Sequence, residues 1–196
     1  MRIITGKAKG IKLLTLEGDT TRPTSERAKE ALFSMIQFDI EGRRVLDLFA
    51  GSGQLGLEAL SRGAEYCMFI DSSNDAANIV KKNIEKTHFT DCTKTLVTDY
   101  RNFLRKSDGR EGFDIVFLDP PYASGALVDA LMRLYRTKLM HRGCLVVCES
   151  ENDDSDVFAK EPKLADMYES VKKNGYGRVH IEILTPKDSY FSSEEE

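Results

Sequence analysis

From Arg44 onward, apolar runs of strand length alternate with segments whose apolar residues recur at helical spacing. Val45 to Phe49 reads as a strand, followed by a glycine-rich turn and a helix through Leu55, Glu58, Ala59 and Arg62. Tyr66 to Ile70 is the next strand. A helix from about Asn74 to Lys86 follows it, with Ala76, Ile79, Val80, Asn83 and Ile84 on one face. Thr95 to Thr98 gives a third strand and Ile115 to Leu118 a fourth; the latter is continuously apolar, as a strand covered on both faces should be. A helix carrying Leu127, Ala130, Leu131 and Leu134 leads to the strand Cys144 to Cys148. This alternation predicts an α/β fold, a mostly parallel, doubly wound sheet with helices on both faces.

The two ends depart from the alternation. Ile3 to Leu14 reads as a short β-hairpin about Lys7 to Gly10, so residues 1–20 are expected to form an N-terminal hairpin. Thr24, after Arg22 and Pro23, is placed to cap a helix striped by Ala28, Ala31, Leu32, Met35 and Ile36. Ser170 to Asn174 and Val179 to Leu184 flank Asn174-Gly175-Tyr176-Gly177 and predict a C-terminal antiparallel hairpin. Residues 1–185 are expected to make one domain, and 186–196 a polar, disordered tail.

Composition narrows the class. A chain of 196 residues, 41% hydrophobic, can fill one core. Met1 to Gly10 is polar and basic and does not resemble a signal peptide. No run reaches the roughly 18 apolar residues of a membrane helix. Cys67, Cys92, Cys144 and Cys148 lack zinc spacing; Cys144 and Cys148 read as buried thiols, consistent with a cytoplasmic location. Net charge is −4, yet Arg2, Lys7, Lys9 and Lys12 crowd the first dozen residues with no acid among them. Acid collects at Glu149, Glu151, Asp153, Asp154 and Asp156 and at Glu194 to Glu196. A basic arm on an acidic body can grip phosphates locally. His88, His141 and His180 are scattered and suggest no chemistry.

Asp47-Leu48-Phe49-Ala50-Gly51-Ser52-Gly53-Gln54-Leu55-Gly56 lies between strand and helix. Gly51 to Gly56 fits G-x-G-x-x-G, and Asp71 ends the next strand twenty residues after Gly51, where an acid can hold ribose hydroxyls. This spacing suits either a nicotinamide dinucleotide or S-adenosylmethionine. Asp47 separates them: at ~4 Å and a dielectric of ~20 a carboxylate interacts with a unit charge by about 4 kcal/mol. It would repel a pyrophosphate and attract an ammonium. Asp99, after the third strand, can accept a hydrogen bond from an adenine amine or cap the helix Tyr100 to Arg105.

Asp119-Pro120-Pro121-Tyr122 follows the apolar strand Ile115 to Leu118. Two prolines stiffen the segment and remove two donors, leaving carbonyls on offer. An exocyclic base amine is a poor nucleophile because its lone pair is delocalised into the ring. If Asp119 and the Pro120 carbonyl each accept one N–H, the lone pair is freed and aimed, and in-line transfer then depends mainly on positioning. Tyr122 would stack on the extruded base.

This constellation resembles the amino-group methyltransferases of nucleic acids, and above all the RsmD-type 16S rRNA guanine-N2 methyltransferases. The resemblance rests on Arg2-Ile3-Ile4 with Gly6 and Gly10, on Arg22-Pro23-Thr24 through Arg27, and on Leu32-Phe33. It continues through Asp47 to Gly53, Leu55 to Arg62, Asp119 to Tyr122 and Glu149-Ser150-Glu151, and extends to about Leu184. It implies a Rossmann-like class I methyltransferase using S-adenosylmethionine on one guanine of 16S rRNA, met within an assembled or partly assembled small subunit. By the same match Phe49, Ala50, Gly51, Ser52 and Gly53 line the cofactor, Asp71 meets the ribose, and Asp119 to Tyr122 hold the base. Arg22, Thr24 and Arg27 fall near the site's mouth, and Arg2, Lys7, Lys9 and Lys12 face RNA. Gln54 departs from the family, which commonly has a small residue there. An adenine-N6 methyltransferase is the alternative, and a nicotinamide-dependent oxidoreductase a more remote one.

Overall fold

A computed structural model of the chain describes residues 1–16, 23–107, 111–121, 124–151 and 156–192, apart from the side chains of 23–25. In chain order the elements are α1 (Pro23–Met35), β1 (Arg44–Asp47), α2 (Gln54–Ser61), β2 (Tyr66–Asp71), α3 (Asn74–Thr87), β3 (Thr93–Val97) and α4 (Tyr100–Lys106). There follow β4 (Phe113–Leu118), α5 (Ala126–Leu134), β5 (Met140–Glu151), α6 (Val157–Lys160), α7 (Leu164–Met167), β6 (Tyr168–Tyr176) and β7 (Val179–Pro186).

The strands form one sheet in the order β3-β2-β1-β4-β5-β7-β6. β3, β2, β1, β4 and β5 run parallel, and β7 joins β5 and β6 antiparallel. The predicted mostly parallel sheet and C-terminal hairpin are both present. Alternation along the buried strands divides two cores. Val45, Ile115 and Phe117 pack beneath α1, α2 and α3 with Leu32, Phe33, Leu57 and Val80. Leu46, Val116 and Leu118 face the opposite layer, with Leu104, Leu131 and Leu134 of α4 and α5. β5 is longer than its apolar run because it pairs with β4 on one side and β7 on the other.

The expected short N-terminal hairpin is present: Arg2 pairs with Lys12 antiparallel, Ile3 N–H donates to the Ile11 carbonyl and Leu13 N–H to the Met1 carbonyl. Its outward backbone groups bond to α2: Ile4 and Thr5 N–H donate to Glu58, and Ala8 N–H to Ser61 Oγ. Two expectations change. Thr24 does not cap α1, which already begins at Pro23; proline's fixed φ suits that first helical position. The tail expected from 186 is in part structured. A 3-10 turn, Asp188–Tyr190, follows β7 and buries Tyr190 to 5% exposure.

Tyr190 shows why the chain stays down. Its hydroxyl donates to the Thr137 carbonyl at 2.6 Å and accepts the Met140 N–H at 3.1 Å, while its ring contacts Tyr135. Tyr190→Phe should lower stability by about 1–3 kcal/mol, the cost of leaving buried partners unpaired. Truncation after Pro186 should cost more, because the ring is lost as well. Urea denaturation measures both, and a truncated protein as stable as the full chain would mean that this segment contributes nothing.

Candidate active site

Parallel register delivers several loops to one sheet edge. Asp47 is level with Phe69 of β2 and Phe117 of β4, and Leu118 with Cys148 of β5. Beyond the strand ends the ladder continues with Leu48 N–H to Phe117 O and Ala50 N–H to Ile70 O. The chain exits surround an open cleft of about 1450 Å³. Phe49, Ala50, Gly51 and Ser52 line it from the glycine turn, Asp71 and Asp99 from the next two exits, and Asp119, Pro120 and Pro121 from a fourth. The two motifs singled out in the sequence therefore open into one space. Pro120 is buried and Pro121 exposed; Tyr122 and Arg22 lie outside the described residues.

The glycines divide their work. Gly51 has φ +52, and a Cβ there would project into open space. Gly53 has φ +78 and starts α2, but it is not part of the cleft wall; a Cβ there would touch Phe69 and Val80. Gly56 lets α2 lie against β2, since a Cβ would fall 2.4 Å from the Phe69 ring and 2.5 Å from Cys67 Sγ.

Three carboxyl groups mark successive strand exits. Asp47 is 2% exposed and accepts the Gly56 N–H at 3.1 Å. Burial foremost, reinforced by the charge of Asp71, raises its pKa to about 7. The full charge assumed from sequence is therefore present only above neutrality, because a buried carboxylate loses hydration. Asp71 accepts N–H bonds from Gly51 and Ser73, both at 2.8 Å, and so ties the glycine turn to β2. Asp99 caps α4 by accepting the Arg101 N–H at 2.9 Å and also lines the cleft.

Two groups of residues escaped the sequence reading. Phe49 lies 4.9 Å from Tyr100, whose hydroxyl donates to Asp129 at 2.7 Å. Arg101 and Arg133 also bond Asp129 and, against its partial burial, hold its pKa down to about 2. Only the i,i+4 spacing of Asp129 and Arg133 hinted at this cluster. The second group docks the N-terminal segment. Glu58, fully buried, meets Arg62 at 2.8 Å and Lys29 at 3.6 Å, and Lys29 donates to the Arg2 carbonyl. Asn83 bonds both Leu14 and the Ser52 carbonyl. A charged residue inside the apolar run of α2 was the available signal.

This docking leaves Arg2, Lys7, Lys9 and Lys12 exposed, while Met1 reaches the cleft wall. Arg27 is exposed on α1, and of Thr24 only the backbone is described. Cys67, Cys144 and Cys148 are buried, with thiol pKa values pushed up by burial. Among the described residues there is no His/Cys/Asp/Glu group suited to a metal, and no helix is long and apolar enough to cross a membrane.

A family model described as Conserved hypothetical protein 95 matches residues 1–185. The chain is 39% identical over 154 residues to the Bacillus subtilis protein YlbH, covering 78% of this chain and 84% of that one. It is 35% identical to the ribosomal RNA small subunit methyltransferase D of Haemophilus influenzae, over 78% and 80% of the two chains. The solved structure of the Escherichia coli protein yhhF superposes with a TM-score of 0.81 at 29% identity, covering 95% and 98%.

The raised pKa of Asp47 has a consequence for stability. Between 3.8 and about 7 the folded protein retains a proton that the unfolded chain releases, so this group's contribution to stability falls as pH rises through that window. Asp47→Asn removes the penalty. Its stability relative to wild type should increase by roughly 1–3 kcal/mol from pH 5 to pH 8. Denaturant titrations at the two pH values test this, and a pH-independent difference would contradict it.

Proposed function

Because the chain belongs to the Conserved hypothetical protein 95 family, the RsmD-type methyltransferases, we propose that it methylates the exocyclic N2 amine of a guanine in 16S rRNA, using S-adenosylmethionine. The observation that carries this reading is the shared cleft, in which the glycine turn after β1 and the Asp119–Pro121 exit after β4 face one space. Relatives named ribosomal RNA small subunit methyltransferase D support the ribosomal RNA substrate.

The cleft residues fit the cofactor. Asp71 offers acceptors to ribose hydroxyls, Asp99 to an adenine amine, and Asp47 to an ammonium. Phe49, backed by Tyr100, supplies an aromatic wall. The acids at the glycine turn disfavour the pyrophosphate of a nicotinamide dinucleotide, although Asp47 is only partly charged at neutral pH. When bound, S-adenosylmethionine supplies an electrophilic methyl group on a sulfonium.

The protein's own part is to prepare the amine. Asp119 and the Pro120 carbonyl accept its two N–H bonds, which draws the lone pair onto nitrogen. Pro120 and Pro121 carry no N–H to compete for those acceptors, and their fixed φ holds the segment still. Tyr122 supplies the next ring for the extruded base. Arg2, Lys7, Lys9, Lys12, Arg22 and Arg27 are the cations that would hold RNA phosphates. The expected setting is the cytoplasm, with a small subunit, assembled or partly assembled, as the substrate.

Asp119→Ala should reduce methyl transfer by about 10²–10³-fold, the scale for one preorganised hydrogen-bonding group, and leave S-adenosylmethionine binding intact. The assay is radiolabelled transfer to small subunits from cells lacking the enzyme, followed by nucleoside analysis, with cofactor binding measured by calorimetry. Label in N6-methyladenosine would replace the guanine reading, and an unimpaired Asp119→Ala enzyme would remove Asp119 from the chemistry.

A further inference from the structure

Asp119 has a neighbour to which neither the mechanism above nor the sequence motifs gave a role. Leu118 of β4 is in register with Cys148 of β5, so Asp119, just past β4, is level with Glu149, which is still inside β5 and pairs with Ile181 of β7. Neighbouring strands lie ~4.8 Å apart. Both residues are half-buried and both line the large cleft. Glu149 also borders, with Pro120 and Pro121, the smaller adjoining pocket. The polypeptide thus sets a second carboxylate beside the group proposed to hold the target amine.

We propose that Glu149 accepts the N1–H of the target base and is the residue that selects guanine; the assignment rests on the guanine-N2 reading above. The argument is chemical. An ionised carboxylate only accepts hydrogen bonds, so two of them side by side favour a ligand edge made of consecutive N–H donors. Among the four bases only guanine places a ring N–H next to its exocyclic amine. Adenine and cytosine place an acceptor nitrogen there, which would set lone pair against carboxylate. With the amine at Asp119, Glu149 faces N1, and guanine alone satisfies both. Glu151 lines the cleft as well, but it lies two residues further along β5, about 6.6 Å, and is not level with Asp119.

The test uses small subunits reconstituted with 16S rRNA that carries, at the modified position, either guanosine or 2-aminopurine ribonucleoside. 2-Aminopurine keeps the exocyclic amine and replaces N1–H with an acceptor. Wild-type protein should prefer guanosine by roughly 100-fold or more in kcat/KM, as sites built to bond a missing hydrogen do. Glu149→Gln should narrow that preference by at least about tenfold, since its amide can donate to the acceptor nitrogen. Glu149→Ala should narrow it as well. The ratio is taken within each variant, so partial loss of folded enzyme cancels. A preference unchanged from wild type in both variants overturns the role of Glu149 and leaves the guanine-N2 reading standing. Absence of N2-methylguanosine from wild-type reactions overturns that reading and this inference together.

Discussion

Hydrogen bonding between parallel strands can be satisfied in only a few registers, and the register of β1, β2, β4 and β5 sets the geometry of the whole site. Pairing Asp47 with Phe69 and Phe117, and Leu118 with Cys148, brings four chain exits to one edge. A one-residue slip would turn the alternating apolar residues of β1 and β4 toward the wrong cores. The two buried layers therefore lock the level at which the glycine turn and the proline exit leave the sheet. Positioning in this protein is a by-product of core packing.

The edge is held in shape by its own polar groups. Asp71 receives two N–H bonds that close the glycine turn, and Asp47 spends one oxygen on the start of α2. Both line the cleft while serving the loop. For Asp47 the arrangement raises the pKa to about 7, a cost in folding stability above that of an exposed acid. The N-terminal segment is docked by the same kind of economy. Glu58 and Lys29 are buried together beside half-buried Arg62, and with Ser61 and Asn83 these two satisfy backbone groups that no strand partner reaches. That leaves Arg2, Lys7, Lys9 and Lys12 in solvent.

The order and type of the central elements could be read from the sequence, because burial on both faces imposes continuous apolar strands and striped helices. The pairing of an acid with G-x-G-x-x-G, and of an acid with two prolines, likewise marked the two segments that open into one cleft. Less could be read at the ends. Residues 186–192 are polar on average, yet a single tyrosine with two hydrogen bonds and two aromatic neighbours anchors them. The N-terminal hairpin was legible, but not its docking: Ile4 and Leu14 N–H donate to side chains on α2 and α3, 50 to 70 residues away.

The sequence alone determined which chemistry this chain can perform: side chains, glycines and prolines are fixed in identity, and local periodicity decides helix or strand. Tertiary structure decided which of those groups share a space and what charge they carry there. Asp47 looked like a full anion until burial was known, and Glu149 gained its place beside Asp119 only from strand register. Register, burial and desolvation are properties of neighbours distant in sequence, and no local pattern encodes them.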